Sequence, residues 1–454
     1  MCLILFSAKM IKREKKIIIL ITIAIFIFSL AISFTLRIPP EVDARAYDRI
    51  AVNLINGSGY IEDAGKNLAD DFSIARVGPG YEFFLAGIYK IFGHRYWVVW
   101  FFQALLHALT AFLVYEISKR IFKSQWRSTA GYLAALLVGF SPDLLLASSM
   151  LLTETLGIFL MVSAVYLFFR YFDDNRLIIL VASAIFFGVA VLTRSQLVVF
   201  LPIFAAPLLF KKEWMRVTIF ILLLAAIFAP WVARNYKVYN EFIPFNASLG
   251  YNLWGGNHIG ASGEMETNYA PLIEYAVNHM PIEVNEEGVS KFKEFLIDHP
   301  VDFIKLIGKK ISIFFSFSRP TGFWPTLYPF QQAAIAFFSL IYSVLIFGLG
   351  ISGGVLMVKK LKTMDQSEKI KTIFALAMAV LIPLSVIVIL VESRYRYPIY
   401  PFMAIFAGYL ASHKNEVFKN LKYPLMVFAI LFLNSFFDFF ANFERFWDKF
   451  KEIL

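Results

Sequence analysis

Read for hydrophobicity, the chain is a succession of long apolar runs joined by short polar connections. The runs fall at 17–36, 97–118, 128–148, 154–170, 177–193, 196–210, 217–233, 331–357, 372–391, 397–411 and 423–440. At ~1.5 Å of rise per residue, runs of this kind reach across a ~30 Å hydrocarbon core as helices. The pattern predicts an all-α polytopic membrane protein of about 11 transmembrane helices. A membrane β-barrel would show short alternating segments instead. The expected organisation is an N-terminus and first helix over 1–36, a long outer loop over 37–96 and helices over 97–233. A second outer loop over 234–330, helices over 331–441 and a tail over 442–454 complete it.

Helical periodicity also runs through the first long loop. After Asp43, the positions Tyr47, Ile50, Ala51 and Leu54 recur at i, i+3, i+4, i+7 until Asn56-Gly57-Ser58-Gly59 stops them. Tyr81, Phe84, Leu85, Ile88, Tyr89 and Phe92 repeat the spacing up to Gly93. Both read as amphipathic helices lying on the membrane surface. In the second loop, 284–299 is charged and helical. Residues 301–318 are apolar but broken by Lys305, Lys309 and Lys310, which predicts an interfacial helix rather than a span.

Composition fits this picture: 59% of residues are hydrophobic, including 50 Phe. The net charge of +10 therefore points to membrane topology rather than nucleic acid. Basic residues concentrate in alternate connections: Lys12–Lys16, Lys119 to Arg127, Arg170/Arg176, Lys211 to Arg216, Lys359 to Lys371 and Lys414 to Lys422. The positive-inside rule assigns these, and the N-terminus, to the cytoplasm of a multi-pass cell-membrane protein. The basic patch and first run lack a small-residue cleavage site, so the run reads as an uncleaved anchor. The single Cys, Cys2, excludes an intramolecular disulfide and a Cys-rich metal site.

The short outer turns then hold only Arg194, Arg394 and Arg396, where positive charge is usually scarce. Snorkelling to lipid phosphates accounts for such arginines. Recognition of an anionic substrate also accounts for them, because a guanidinium fork binds phosphate bidentately. Asp43 is open to two readings as well: an N-cap, or a general base near the outer surface. Glu154, after Thr153, begins a span where an acid suits the helix dipole, at the level of Asp43. His107, inside a span, reads as a packed, hydrogen-bonded histidine. Arg234 ends another span, and NASLGYNLWGGNH follows it, ending in Asn257 and His258. Its aromatics and amides suit sugar or head groups. No P-loop, Asp-x-Asp or HExxH is present, so any chemistry falls to outer loops and helix ends.

The order of these pieces resembles the membrane-embedded GT-C glycosyltransferases of the family 39 type, which includes protein O-mannosyltransferases and lipid A aminoarabinose transferases. The residues that carry the resemblance are Asp43 with Tyr47, Ile50 and Ala51; Gly57-x-Gly59-Tyr60; and Arg76-x-Gly78-Pro79-Gly80-Tyr81. Thr153-Glu154, Leu192-Thr193-Arg194, Pro230-Trp231-x-x-Arg234-Asn235-Tyr236 and Arg394-Tyr395-x-x-Pro398 continue it. Where the family often has Asp-Glu, this chain has Asp43-Ala44.

The resemblance implies transfer of a sugar from a polyprenyl-phosphate donor to an acceptor lipid, glycan or protein, among membrane lipids and without nucleic acid. It implies Asp43 and Glu154 as catalytic acids. Arg76, Tyr81, Arg194, Arg234, Asn257, His258, Arg394 and Arg396 would bind the donor. A divalent metal is possible but no spacing demands one. The rival readings are a transporter or flippase of lipid-linked sugars, which would commonly show matching halves, and an oligosaccharide ligase or polymerase.

Overall fold

The computed structural model describes residues 2–76, 78–122, 127–266, 268–319, 327–413, 421–444, 447–448 and 451, with side chains from Arg13 on. Lys123, Lys414, Lys419 and parts of the 234–330 loop and the 442–454 tail lie outside the described residues. No strand occurs among the described residues.

Among the described residues seven helices are long and apolar enough to cross a membrane: α1 (Cys2–Leu36, counted from Arg13), α4 (Tyr96–Ile121), α7 (Thr153–Asp174), α10 (Trp214–Tyr239), α15 (Pro329–Lys360), α16 (Gln366–Ile387) and α18 (Lys422–Ala441). Between them lie the bent pair α5 (Arg127–Gly139) and α6 (Pro142–Ser148), and the shorter apolar helices α8 (Leu177–Thr193), α9 (Leu201–Phe210) and α17 (Tyr400–Ser412). These elements follow the predicted runs, but three runs are not single straight helices. The run 128–148 bends by 55° between α5 and α6. Pro142 cannot donate to the ladder, and Ser141 caps the new start by accepting from Leu144 N. The runs 196–210 and 397–411 each meet a 3₁₀ turn, Ser195–Phe200 and Ser393–Ile399, before α9 and α17.

Small residues set how closely the spans approach. A Cβ on Gly353 would lie 2.0 Å from Phe406 O, and one on Gly408 2.3 Å from Ala130 O. These glycines pin α15 to α17 and α17 to α5. His107 is buried in α4 with its Nε2 3.0 Å from Gly139 O.

The two long loops form an outer layer. The first carries α2 (Asp43–Ile55) and α3 (Gly80–Phe92). The second carries α11 (Leu249–Gly256), α12 (Ala270–Asn278), α13 (Pro281–Asp298) and α14 (Pro300–Phe315). The apolar stripes of α2 and α3 do not lie free for lipid. Tyr47, Ile50, Ala51, Tyr81, Leu85 and Tyr89 are buried against the protein, because α2 and α3 pack on each other and on the bundle.

The basic connections meet at one end of the bundle. Lys119 pairs with Glu14, and Arg120 and Lys371 both pair with Asp173 near the end of α7. Glu154 stands at the start of that helix, roughly 30 Å away along its axis. The outer layer covers this second end.

Candidate active site at the outer helix ends

Asp43 is the first residue of α2, not its cap. Val42 occupies the cap position and offers no side-chain hydrogen bond. Val42 holds φ at 47° with its side chain 81% exposed, a backbone state that costs a β-branched residue on the order of 1–3 kcal/mol. The Asp43 carboxylate is turned sideways to two guanidiniums. Arg394 Nη1 donates to Oδ2 at 3.0 Å, and Arg76 Nη1 lies 3.8 Å from Oδ1.

Each arginine is held from its other edge by a second acid. Arg394 Nε donates to Glu392 Oε2 at 2.7 Å. Arg76 donates through Nε and Nη2 to Glu62 Oε2 at 3.0 and 2.6 Å. Burial works against the charged form of Arg394, but the carboxylates of Glu392, Glu154 and Asp43 outweigh it and hold its pKa well above the ordinary value. Arg76 is raised in the same way, burial being offset chiefly by Glu62.

Local sequence explains how these groups arrive together. Arg76 follows the 3₁₀ turn Phe72–Ala75, and the turn Gly78-Pro79-Gly80 then lies directly on Leu192-Thr193. A Cβ on Gly78, whose φ is 140°, would lie 2.4 Å from Leu192 O, and one on Gly80 2.5 Å from Thr193 Oγ1. The glycines thus fasten the first loop to the end of α8, where Arg194 begins. Arg194 Nη1 pairs with Glu154 at 2.8 Å and donates to Thr153 Oγ1 at 3.0 Å. Gly157 leaves room for the Arg194 stem, since a Cβ there would touch its Cδ at 3.0 Å.

Two cavities flank the Asp43–Arg394 pair and share it as a wall, with Tyr47, Tyr395, Ser248 and Asn252. The first, of about 430 Å³, contains Glu154 and Arg194 and is bordered by Val198 and Val199 of the 3₁₀ turn before α9 and by Ile389 just beyond α16. The second, of about 320 Å³, lies under the outer layer and is walled by Arg76, Phe72, Tyr251 and Val284.

Five expected donor-binding residues stand outside these cavities. Arg396 is buried and donates to the carbonyls of Ser316 and Arg319, bracing that backbone. Arg234 donates to Tyr60 O at 2.9 Å and stacks near Trp231, Tyr60 and Tyr239. Tyr81 stands one layer behind Tyr47, its hydroxyl donating to Gln103 Oε1 at 2.7 Å. Asn257 donates to Leu253 O and Ile389 O and accepts from Lys310 Nζ at 2.7 Å, clamping the second loop to the end of α16. Burial pushes Lys310 down to about 7. His258 is stacked on Tyr269 with ring centroids 3.7 Å apart.

Sequence reading assigned no role to Glu62 or Glu392. Glu392 precedes Arg394 by two residues on a turn, a spacing with no helical signature. Another acid, Glu82, lies in α3 wholly buried beside the Tyr60 hydroxyl. Burial raises its pKa to about 8, with Tyr60 and Arg76 opposing.

The acids do not fit a divalent metal site. Asp43, Glu62, Glu154 and Glu392 each face a guanidinium, and no group of three or more His, Cys, Asp or Glu converges among the described residues. Chemically, the arrangement offers a carboxylate between two cations, with a cavity on either side.

Comparison with known proteins shows a fold like that of the A. fulgidus oligosaccharyltransferases. The family model described as dolichyl-phosphate-mannose-protein mannosyltransferase matches residues 76–234. The apo oligosaccharyltransferase of Archaeoglobus fulgidus superposes with a TM-score of 0.51 at 14% identity, covering 92% of this chain and 55% of that one. The oligosaccharyltransferase AglB of the same organism, in complex with an inhibitory peptide and a dolichol-phosphate, gives 0.51 at 16%, covering 92% and 54%. ArnT from Cupriavidus metallidurans bound to undecaprenyl phosphate gives 0.39 at 16%, covering 88% and 78%. The chain thus spans about half the length of the oligosaccharyltransferases it matches. No curated protein sequence matches it. The family match covers about a third of the chain, and the likeness to the A. fulgidus oligosaccharyltransferases is one of helical fold.

Proposed function

We propose that this chain is a membrane glycosyltransferase that moves a sugar from a polyprenyl-phosphate donor to an acceptor hydroxyl at the outer face of the cell membrane. The observation that carries the reading is the Asp43–Arg394 contact at 3.0 Å, made across 351 residues of sequence on the wall shared by two cavities. One side chain suits a proton acceptor and the other an anion.

The roles follow from chemistry. The donor phosphate enters the cavity that holds Arg194, its isoprenoid tail remaining in lipid. The acceptor oxygen attacks the sugar C1, and Asp43 takes the hydroxyl proton. The C1–O bond to phosphate breaks, and charge grows on the departing phosphate. Arg394 and Arg194 meet that charge in a low-dielectric site. A phosphate leaves without a protonating acid, so one base suffices, and attack opposite the leaving group inverts C1. Glu154 holds Arg194, a positioning role. Arg76 keeps the Asp43 carboxylate in place. The dolichol-phosphate bound by the A. fulgidus protein supports this donor class by likeness of fold. The basic opposite end of the bundle supports a cytoplasmic N-terminus.

The test is transfer of labelled sugar from polyprenyl-phosphate donors in proteoliposomes. Asp43→Asn keeps the size of the side chain and removes the base. Wild-type transfer rates in that variant overturn the assignment.

A further inference from the structure

The cavity of about 320 Å³ on the far side of Asp43 differs in kind from the donor-side cavity. We propose that it binds a neutral carbohydrate, whose hydroxyl is the acceptor; this rests on the transferase reading above. Three observations carry it.

The first is the origin of the walls. They come largely from the two outer loops: Phe72 and Arg76 from one, Tyr251, Met265 and Val284 from the other. The acceptor therefore arrives from the aqueous side, whereas the donor cavity also draws walls from the start of α7, the turn after α8 and the end of α16.

The second is charge. The charged side chains facing the cavity are Asp43, Arg76 and Arg394, and all are already committed to one another, to Glu62 or to Glu392. A neutral polyol disturbs none of these pairs.

The third is the polar surface that remains. Ser248, Tyr251 and Asn252 stand three and four residues apart on one face of the α11 start, and all three line the cavity. No hydrogen bond links the Asn252 amide, the Tyr251 hydroxyl or the Ser248 hydroxyl to another described residue. Beside them stand the Tyr251, Phe72 and Tyr395 rings. Open amide and hydroxyl groups next to aromatic faces match a sugar ring, which has a hydroxyl rim and an apolar C–H face. This face is rigidly held: α11 and α13 touch at Gly250 and Gly288, where a Cβ on Gly288 would lie 2.2 Å from Gly250 O. Asn285 Oδ1 also accepts from Gly250 N at 2.8 Å.

The experiment uses the full chain in lipid nanodiscs with labelled polyprenyl-phosphate sugar. A panel of neutral methyl glycosides, a Ser/Thr peptide and a phosphorylated glycolipid are offered separately. The proposal expects transfer to at least one glycoside. It also expects Tyr251→Ala to raise the glycoside KM about tenfold, the loss of one stacking ring and its hydroxyl, with the donor KM moved less than twofold. Tyr251→Phe, which keeps the ring, raises it by about threefold and guards against misfolding of the alanine variant. Transfer to the peptide or the phosphorylated glycolipid and to no glycoside overturns the proposal while leaving the transferase reading intact. An unchanged glycoside KM in both Tyr251 variants also overturns it. Absence of donor consumption with every acceptor and with water defeats the transferase reading, and the acceptor proposal falls with it.

Discussion

Arg394 and Arg396 are two residues apart on one 3₁₀ turn, yet they belong to different kinds of region. Arg394 sits in an open cluster with Asp43, Arg76 and Glu392, where the paired side chains are 25–28% exposed and border cavities. Arg396 turns inward toward Arg319, which is clamped bidentately by Asp438 of α18 and paired with Glu264; there Arg319 and Asp438 are only 5% and 4% exposed. Both regions are arginine–carboxylate networks at the same end of the molecule. The sealed one joins the 316–319 backbone to the last helix. The open one retains faces that a ligand can reach. Exposure and adjoining space, not residue type, separate a strut from a binding group.

The largest expected effect tests the open cluster. Asp43→Asn should lower transfer by about 10²–10⁴-fold, the usual worth of a general base, with thermal stability close to wild type. In the sealed cluster Asp438→Ala should destabilise by about 3–5 kcal/mol, because it leaves the Arg319 guanidinium buried with much of its pairing removed. Thermal unfolding in detergent reads this. An Asp438→Ala protein with wild-type melting would erase the distinction between the regions. Arg394→Ala should cost about 10²–10³-fold in transfer, whereas Arg396→Ala should act chiefly on stability. If the two variants lose activity and stability in the same proportion, the comparison fails.

Smaller effects sharpen it. Glu82 is buried in α3, behind the open cluster, with its pKa raised by burial to about 8 from 4.5. In that window the folded state binds more protons than the unfolded state. Its contribution is complete below pH 4.5 and is lost as pH rises through 8. Wild type should therefore melt lower as pH increases from 5 to 8, and Glu82→Gln should flatten that part of the profile. An unchanged slope in the variant would show that another group sets it. Val42→Gly relieves the positive φ beside Asp43 while giving up a mostly exposed side chain. It should shift stability by about 1 kcal/mol or less, upward, as read by melting.

Much of the fold was legible because its signals are local. The apolar runs, the periodic stripes of α2 and α3 and the stops at Asn56 and Gly93 all depend on near neighbours in sequence. What those stripes touch is not local, so the packing of α2 and α3 on each other and on the bundle was not. Nor was the 55° break, because Ser141-Pro142 lies inside a run of otherwise continuous hydrophobicity. In the site, Asp43, Arg194, Glu154 and Arg394 stood out as charges at helix ends, and Arg76 through the family resemblance. Arg234 and Arg396 stood out on the same grounds, and Asn257 and His258 as the end of an aromatic and amide-rich stretch, yet all four spend hydrogen bonds on backbone and neighbouring side chains.

The sequence by itself determined that the chain is a bundle of membrane helices with charged groups gathered at one set of helix ends. Hydrophobic length and charge asymmetry act through solvent and lipid, and they need no knowledge of partners. Only the tertiary structure decided which arginine meets Asp43. That choice depends on side-chain directions and on glycine-sized gaps between segments hundreds of residues apart, and one-dimensional spacing carries no record of either.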